Sequence, residues 1–288
     1  MNLTLKHFFD DKTKTLTYLV FDEMSLDCVI IDPVLDYDQA SSQISKESVE
    51  KVINFVQNNS LRVHYILETH AHADHLSGAQ DLKSIFTNAK LVIGSKITEV
   101  QKTFSKIYNL KDLNSRGDQF DILVDEDTVL EAGSINIRVI ETPGHTPACV
   151  SYLIDKHLFT GDALFMPDYG TGRCDFPAGC AKDLYHSIQE KLYNLPEDTL
   201  YYTCHDYQPG GRELRFQSTI EESKKSNVQL NSSTSEKEFV EFREKRDATL
   251  SAPTLLLPSI QINIDGGHLP KAEDNGTSYI KIPLNTKG

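Results

Sequence analysis

The residues best suited to chemistry lie in one short stretch of the chain, Thr69-His70-Ala71-His72-Ala73-Asp74-His75. Three imidazoles and one carboxylate fall within six consecutive positions of this stretch. Imidazole and carboxylate are side chains that bind zinc, iron or manganese in proteins. A single histidine is most often a surface residue, but four such side chains at this spacing predict a metal site.

The segments that must position this motif are β-like. An apolar run from Val63 to Leu67 comes directly before it and predicts a strand. Open α/β sheets place their chemistry on loops at the carboxyl ends of strands. Three further ligand-type side chains also follow β-like runs, namely His145, Asp162 and His205. The repeated order of strand, turn and ligand favours one shared site over isolated structural residues.

The composition bounds the partners and the compartment of the protein. The 288 residues carry a formal net charge of −13, which argues against nucleic acid as a partner because binding to its phosphates uses clustered Lys and Arg. The N-terminal region shows no secretory signal, and no apolar stretch is long enough to span a bilayer. Five cysteines without a C-x-x-C pair predict reduced thiols. We therefore expect a cytoplasmic protein without a membrane partner.

Strand-like and helix-like segments alternate along the chain, which predicts an α/β fold with mixed sheets. Near the motif, a helix is predicted from Asp74 to Phe86, and antiparallel strands are predicted from Ile122 to Ile140. We expect a catalytic domain at residues 1–230 and a C-terminal extension at residues 231–288. Aromatic residues in the extension, such as Phe239, predict that it packs on the main domain or on a subunit partner.

The order and spacing of the ligand-type residues resemble the metallo-β-lactamase superfamily over roughly residues 15 to 210. The resemblance implies a four-layered αββα sandwich, here with a C-terminal extension. It implies a first metal site at His70, His72 and His145. It implies a second site at Asp74, His75 and His205, with Asp162 as the bridge. All seven positions are filled in this sequence, so counting ligands leaves one ion and two ions open.

A later segment separates the reactions within that superfamily. The glycine-rich stretch from Met166 to Ala181, with an Arg-x-Asp-Phe at 173–176, is similar to the persulfide dioxygenases, also called sulfur dioxygenases. The stretches His205-Asp206-Tyr207 and Leu257 to Asn263 are similar to their bacterial β-lactamase-hydrolase-like branch. With these segments, the resemblance spans nearly the entire chain.

This second resemblance implies one Fe(II) ion per subunit, held by His70, His145 and Asp162. Two histidines and one carboxylate form a facial triad that leaves open positions on the metal. The remaining ligand-type residues would orient groups around the metal through hydrogen bonds. These are His72, Asp74, His75 and His205. The implied reaction is the oxidation of glutathione persulfide by O2 and water to sulfite and glutathione, a step of sulfide detoxification.

Glutathione carries two carboxylates, which call for cationic groups near the cleft. Arg173 is the first candidate for substrate binding, and Tyr207 and Arg212 are weaker ones. For Arg173, an ion pair with Asp175 that only shapes the loop is an equal alternative to substrate binding. For Arg212, we prefer the interpretation that it is a surface charge. For Cys174 we favour a packing role over a redox one, whereas Cys180, near a predicted helix start, stays open.

Two other functions compete with this interpretation. The first is a glyoxalase II-like thioesterase that hydrolyses an acylglutathione at two zinc or iron ions, which the complete ligand set favours and residues 166–182 disfavour. The second is a non-catalytic metal- or sulfide-sensing module, for which no DNA-binding or receiver-type segment is evident. The ligand types suit iron and zinc alike. We expect a homodimer, the common state of such an acidic enzyme.

Overall fold

Two β-sheets pack face to face, and helices cover the outer face of each sheet. The computed structural model describes residues 2–284. Alternation along the strands produces this arrangement, because successive side chains point to opposite faces of a sheet. Tyr18 lies in the core between the two sheets, whereas its neighbour Leu19 lies in the core beneath the helices. The predicted four-layered αββα sandwich is confirmed.

The first sheet contains six strands in the order β1-β2-β3-β6-β8-β9. Its strands are β1 (Leu3–Asp10), β2 (Thr15–Asp22), β3 (Asp27–Ile31), β6 (Arg62–Leu67), β8 (Lys90–Gly94) and β9 (Ile122–Val124). The last four strands in this order run parallel to one another. Ile31 therefore lies beside Leu67, and the loops that follow these two residues leave the same edge of the sheet.

The second sheet also contains six strands, β10 to β15 in chain order. They are β10 (Val129–Ala132), β11 (Ile135–Glu141), β12 (Val150–Ile154), β13 (His157–Phe159), β14 (Leu200–Tyr202) and β15 (Gln217–Thr219). Neighbours are antiparallel except β13 and β14, which run parallel. A small third sheet joins β5 (Gln43–Ser45), β4 (Val34–Asp38) and β7 (Leu76–Ser77).

Seven α-helices complete the description of residues 2–284: α1 (Glu47–Asn58), α2 (Ala79–Ile85), α3 (Ile97–Ile107), α4 (Ala181–His186), α5 (Ile220–Ser226), α6 (Glu236–Asp247) and α7 (Leu256–Asn263). After α4 the chain continues through a π-helical turn, Ser187–Lys191, and a 3-10 turn, Leu192–Asn194. Over the same residues, no helix combines the length and the apolar character that crossing a membrane requires.

The C-terminal part of the chain contributes to both helical layers. Ser235 caps α6 with a reciprocal pair of hydrogen bonds to Glu238, an arrangement that fixes the start of a helix. Phe239 of α6 is fully buried in the layer that covers the second sheet. Ile260 and Ile262 of α7 lie in the layer that covers the first sheet. Helices α6 and α7 are thus packed onto the sandwich.

Two predictions made from the sequence near the site are wrong in detail. The helix predicted from Asp74 begins only at Ala79, because Leu76 and Ser77 pair with β4 instead. Asp74 and His75 therefore stay on a loop. The predicted antiparallel strands between 122 and 140 include β9, which pairs in parallel with β8 in the first sheet, since its alternation resembles that of an antiparallel strand.

Candidate metal centre and cavity

Three side chains from three different loops converge at the edge where β6, β11 and β13 end. They are His70, His145 and Asp162, and one donor atom from each lies within 4.8 Å of the other two. Asp162 Oδ2 is 4.0 Å from His70 Nε2 and 3.7 Å from His145 Nε2. These distances exceed those of direct hydrogen bonds. The arrangement is that of donors facing a common point.

The outer nitrogen of each of these histidines is held by a hydrogen bond. His145 donates from Nδ1 to the carbonyl of Arg173 at 2.7 Å. His70 Nδ1 lies 3.0 Å from Thr69 Oγ1, and that hydroxyl donates its proton to Asp32 at 2.9 Å, so Nδ1 is the donor. In the neutral form of each ring the lone pair is then on Nε2, which faces Asp162. Burial, with His72 and His145 nearby, holds the pKa of His70 well below its usual value.

His72 is fixed between two buried carboxylates. Its Nε2 lies 3.0 Å from Asp32 Oδ1 and 3.3 Å from Glu68 Oε2. Burial alone would lower the pKa of His72, but Asp32 and Glu68 raise it well above its usual value. For Asp32 the effects are reversed. Burial alone would raise the pKa of this carboxyl, but His72 and the hydrogen bonds from Thr69 lower it overall. Asp32 and Glu68, which the sequence did not mark, thus position the motif from behind.

A second group of ligand-type residues lies next to the first. His205 Nε2 is 3.0 Å from Asp74 Oδ2 and 3.4 Å from Asp162 Oδ1. His75 Nδ1 is 3.6 Å from the other oxygen of Asp74. Although burial opposes it, the charges of Asp74 and Asp162 raise the pKa of His205 to about 9. Within residues 2–284, Asp74, His75 and His205 do not occur together in any group whose donor atoms all lie within 4.8 Å.

The donor set fits a metal ion. In the part of the chain that the structure describes, eight buried side-chain nitrogen or oxygen atoms have no hydrogen-bond partner. Six of the eight belong to this site: His70 Nε2, His72 Nδ1, Asp74 Oδ2, His75 Nε2, Asp162 Oδ1 and His205 Nε2. His205 Nε2 and Asp74 Oδ2 are 3.0 Å apart but are not aligned for a hydrogen bond. An unpartnered buried polar atom costs about 1–3 kcal/mol. Such a concentration is expected where a cation supplies the missing interactions.

Helix α7 holds the metal-binding loop from the outside. The amide of Asn263 donates to the backbone carbonyls of His72 and His75, each at 2.7 Å. Its oxygen accepts a hydrogen bond from the backbone N–H of Ser77 at 2.8 Å. The side chain is 4% exposed, so these bonds are shielded from water. Sequence patterns gave no positional role to this residue, which lies almost two hundred positions from the loop it supports.

The glycine-rich segment packs directly against the ligands. A Cβ atom on Gly172 would lie 2.0 Å from the carbonyl oxygen of Asp162 and 3.5 Å from Cβ of His145. Only glycine allows the backbone to approach this closely. The segment that distinguishes members of the superfamily in sequence is therefore in contact with two of the three converging residues.

A cavity of about 960 Å³ opens from the ligands. His145, Asp162 and Asp74 line one part of it, and Leu250 and residues 252–255 line another. Four aromatic residues form a wall beside the ligands, here called the aromatic wall: Phe165, Tyr169, Phe176 and Tyr207. Its two tyrosine rings stack at 4.9 Å. The cavity lies at the upper end of the volumes typical of small-molecule sites.

The three predicted substrate-binding residues have different positions. Arg173 lines the cavity, but its guanidinium forms two 2.6 Å bonds with Asp175 and donates to the carbonyl of Ser251. Tyr207 lines the cavity and is 40% exposed. Arg212 is not among the lining residues; it is bonded to two carboxylates, Asp168 and Asp206. The structure therefore does not bring Arg212 to the other two.

The cysteines are free thiols, four of them buried. Burial raises the pKa of Cys174 well above its usual value, which opposes a reactive thiolate and agrees with a packing role. Cys180 is half-buried and occupies the N-cap position of α4, without a capping hydrogen bond from its side chain.

Several cavity residues have no counterpart in the predictions from the sequence. Tyr169, Gln229, Arg243 and Arg246 all line it. Arg243 is almost completely buried, and its guanidinium is paired with Asp247 at 2.6 Å. The only available signal was the pair of arginines one helical turn apart in α6, which also suits an exposed helix face.

The sequence matches the family model described as the metallo-beta-lactamase superfamily over residues 13–205. It is 51% identical over 269 residues to Glyoxylase B2 of Dictyostelium discoideum, covering 93% of this chain and 92% of that protein. It is 45% identical over 294 residues to a probable metallo-hydrolase of Burkholderia pseudomallei, covering 98% and 99% respectively. It is 35% identical over 236 residues to the mitochondrial persulfide dioxygenase ETHE1 of Homo sapiens, covering 81% and 78%.

Among solved structures, the fold is similar to the crystal structure of ETHE1 from Myxococcus xanthus, with a TM-score of 0.74. The two sequences are 29% identical, and the match covers 92% of this chain and 100% of that one.

Proposed function

This chain belongs to the metallo-beta-lactamase superfamily, and from that membership we propose that it is a mononuclear Fe(II) persulfide dioxygenase. Its substrates would be glutathione persulfide and O2, and its products sulfite and glutathione. The observation that carries the proposal is the convergence of His70, His145 and Asp162 within 4.8 Å. Two histidines and one carboxylate are the donor set of non-haem iron oxygenases.

His70, His145 and Asp162 would hold the iron. When bound, the ion would supply the redox chemistry that joins O2 to the terminal sulfur of the persulfide. The residues of the chain prepare the donors for this. Thr69 and the carbonyl of Arg173 hold the two imidazoles in the tautomer that presents Nε2. His72 remains bound to Asp32 and Glu68, and so orients the loop from behind.

The cavity residues would bind and orient the substrate. The aromatic wall gives an apolar surface next to His145 and Asp162, which suits a polarisable sulfur chain and limits the access of water. The hydroxyl groups of Tyr169 and Tyr207 are protonated at neutral pH, since a phenol ordinarily titrates near 10 and burial raises the pKa of Tyr169 further. They can therefore donate hydrogen bonds to the carrier. Arg173 contributes the shape of the loop through its ion pair with Asp175.

The proposal is supported by the relatives as well as by the donor set. The human relative is named a persulfide dioxygenase, and the Myxococcus xanthus structure bears the same protein name. The glycine-rich segment that suggested this activity from the sequence contacts both His145 and Asp162 in the structure.

The test is oxygen uptake by anaerobically Fe(II)-loaded protein after addition of glutathione persulfide, with sulfite assayed in parallel. We expect uptake matched by sulfite, and loss of both in His145→Ala and Asp162→Ala. His268→Ala, which removes an exposed histidine outside the cavity, is the matched control and should retain activity. Absence of uptake by the iron-loaded wild-type protein would contradict the proposal.

A second candidate is a glyoxalase II-like thioesterase with two metal ions. The observation that favours it is the position of His205 Nε2, 3.0 Å from Asp74 and 3.4 Å from Asp162, beside unpartnered His75 Nε2. The relative named Glyoxylase B2 adds to it. Hydrolysis of an acylglutathione by the zinc-loaded protein, without oxygen uptake by the iron-loaded protein, would establish this alternative.

A further inference from the structure

The cavity is lined by five cationic side chains: Lys12, Lys14, Arg173, Arg243 and Arg246. Three of them are neutralised by carboxylates. Lys14 is paired with Asp11, Arg173 with Asp175 and Arg243 with Asp247, each at 2.6 Å. In residues 2–284, neither Lys12 nor Arg246 has a carboxylate within 4.0 Å. Lys12 is exposed, so water solvates its charge, whereas Arg246 is half-buried.

Arg246 is a half-buried cation at the cavity that no carboxylate of residues 2–284 neutralises, and only the C-terminal end of a helix favours its charge there. It lies in the last turn of α6, four residues before Leu250, which also lines the cavity. Burial raises the pKa of the Tyr169 hydroxyl, and Arg246 is close enough to lower it in part. Partial burial of a guanidinium without a partner costs free energy. The Tyr169 hydroxyl next to Arg246 carries no charge to offset the guanidinium, so in a chain with a net charge of −13 the lack of a carboxylate partner points to an anionic ligand.

Resting on the proposed function, we propose that Arg246 binds a carboxylate of the thiol that carries the persulfide. A guanidinium matches a carboxylate with two parallel hydrogen bonds. The sulfur end of the substrate would lie at His145 and Asp162, the stacked tyrosines of the aromatic wall would contact its middle, and Arg246 would bind its far end. The substrate class is then a small peptide thiol with a free carboxylate.

The chemistry of Arg246 would also accept a phosphate, as in coenzyme A, so the experiment separates the two sources. Metal-loaded protein is titrated calorimetrically with S-methylglutathione, with its dicarboxylate-masked diethyl ester, and with S-methyl-coenzyme A. These thioethers carry no transferable sulfur, so binding is read without turnover. The variants are Arg246→Gln and Arg246→Lys, with Lys245→Gln as the control, because Lys245 is an exposed cation on the same helical turn and outside the cavity.

We expect the wild-type protein to bind S-methylglutathione more tightly than either of the other two ligands. Arg246→Gln should raise the Kd for S-methylglutathione about tenfold, the loss expected for one charge-assisted pair. It should leave the Kd for the diester unchanged, while Arg246→Lys should give an intermediate value and Lys245→Gln the wild-type value. Thermal unfolding of each variant verifies that it is folded.

Several results would overturn the proposal. They are a wild-type Kd in Arg246→Gln, equal binding of the acid and the diester by the wild-type protein, tighter binding of S-methyl-coenzyme A, and no binding of S-methylglutathione. Failure of the dioxygenase function would look different. Oxygen uptake would then be missing in the wild-type protein, while the dependence of S-methylglutathione binding on Arg246 would persist.

Discussion

The Nδ1 of His145 donates a hydrogen bond to the backbone carbonyl of Arg173, 28 positions further along the chain, at 2.7 Å. The bond fixes the tautomer of the imidazole and leaves Nε2 facing Asp162. It also makes the donor geometry depend on the path of the glycine-rich segment rather than on the side chain of Arg173. Backbone changes in that segment should therefore affect metal binding.

Gly172→Ala is expected to weaken metal binding. The added methyl group would lie 2.0 Å from the carbonyl oxygen of Asp162, so either the segment or Asp162 must move. Changes in the groups that orient metal ligands typically cost 10- to 100-fold in affinity. We expect a loss of about tenfold or more, measured by chelator competition for Fe(II) or Zn(II).

Gly133→Ala is the control for general strain in this experiment. Its methyl group would overlap the carboxylate of Asp27, the first residue of β3, at the opposite end of that strand from the metal-binding loops. It should lower the stability of the fold and leave metal affinity unchanged. Equal metal affinity in Gly172→Ala and the wild-type protein would show that metal binding does not depend on the path of the glycine-rich segment.

Breaking the buried ion pair of Arg243 and Asp247, which contacts the glycine-rich segment, should destabilise the protein strongly. Asp247 also accepts a hydrogen bond from the backbone N–H of Cys174 at 2.8 Å, and Arg243 donates to the carbonyl of Thr171 at 3.2 Å. Removing one partner leaves the other charge buried. Arg243→Ala should therefore cost about 3–5 kcal/mol in the free energy of unfolding.

Chemical denaturation measures this cost, and a double-mutant cycle isolates the pair. Arg243→Met combined with Asp247→Leu should lose less stability than the sum of the two single variants, because neither charge is then left unpaired. Strict additivity would show that the two residues act independently.

Much of the site could be predicted because its ligands follow regular strands. The run Val63–Leu67 ends in the motif, and the same order recurs before His145, Asp162 and His205. The edge strand β1 could not be predicted from alternation of apolar and polar residues. Its residues are mostly half-buried on both faces, so the two faces do not differ clearly.

The far side of the cavity could not be predicted for a related reason. The buried residues of α6 are Phe239, Arg243 and Asp247, so two of the three are charged. From sequence alone, a helix with this pattern is typical of a solvent-exposed face. Only the packing of α6 against the glycine-rich segment shows that Arg243 is internal and that Arg246 faces the cavity.

Asp27 should make the stability of the fold depend on pH. Burial alone would raise the pKa of this carboxyl, but the N–H of Ser134 and the side chains of His64 and Arg62 lower it well below its usual range. A carboxyl with a lowered folded-state pKa stabilises the protein above its unfolded pKa of about 3.9, and that contribution is lost as pH falls further.

Asp27→Asn is therefore expected to be less stable than the wild-type protein at pH 7 by about 1–3 kcal/mol. The difference should begin to shrink below about pH 4, because Asp27 of the unfolded wild-type protein then binds a proton that the folded protein still excludes. Denaturation of both proteins from pH 7 to pH 3 measures it, and any acid-induced loss of metal cancels in the difference. A difference that stays constant over this range would contradict the assignment.

Removal of the metal should lower the unfolding temperature. Of the unpartnered buried atoms, His70 Nε2 and Asp162 Oδ1 belong to the residues that would hold the ion, and they lose that partner in the metal-free protein. An ion that binds only the folded state adds about 2.7 kcal/mol at 100 times its Kd. For a chain of this size we expect a decrease of about 5 °C on chelation, read by thermal scanning. Asp162→Ala should show no such decrease, and a wild-type protein insensitive to chelation would contradict the expected site.

Asp74→Asn and Asp162→Asn should have unequal effects on metal content and activity. Asp162 belongs to the converging set with His70 and His145, so its replacement should abolish iron binding and oxygen uptake. Asp74 contacts His205 at 3.0 Å outside that set. Asp74→Asn should therefore retain one iron per subunit and lose roughly tenfold in rate, the scale of a lost supporting interaction. Metal analysis of the two isosteric variants, together with persulfide-dependent oxygen uptake, distinguishes the dioxygenase from the thioesterase. The thioesterase would be favoured by two ions in the wild-type protein, one ion in Asp74→Asn and no turnover in either variant.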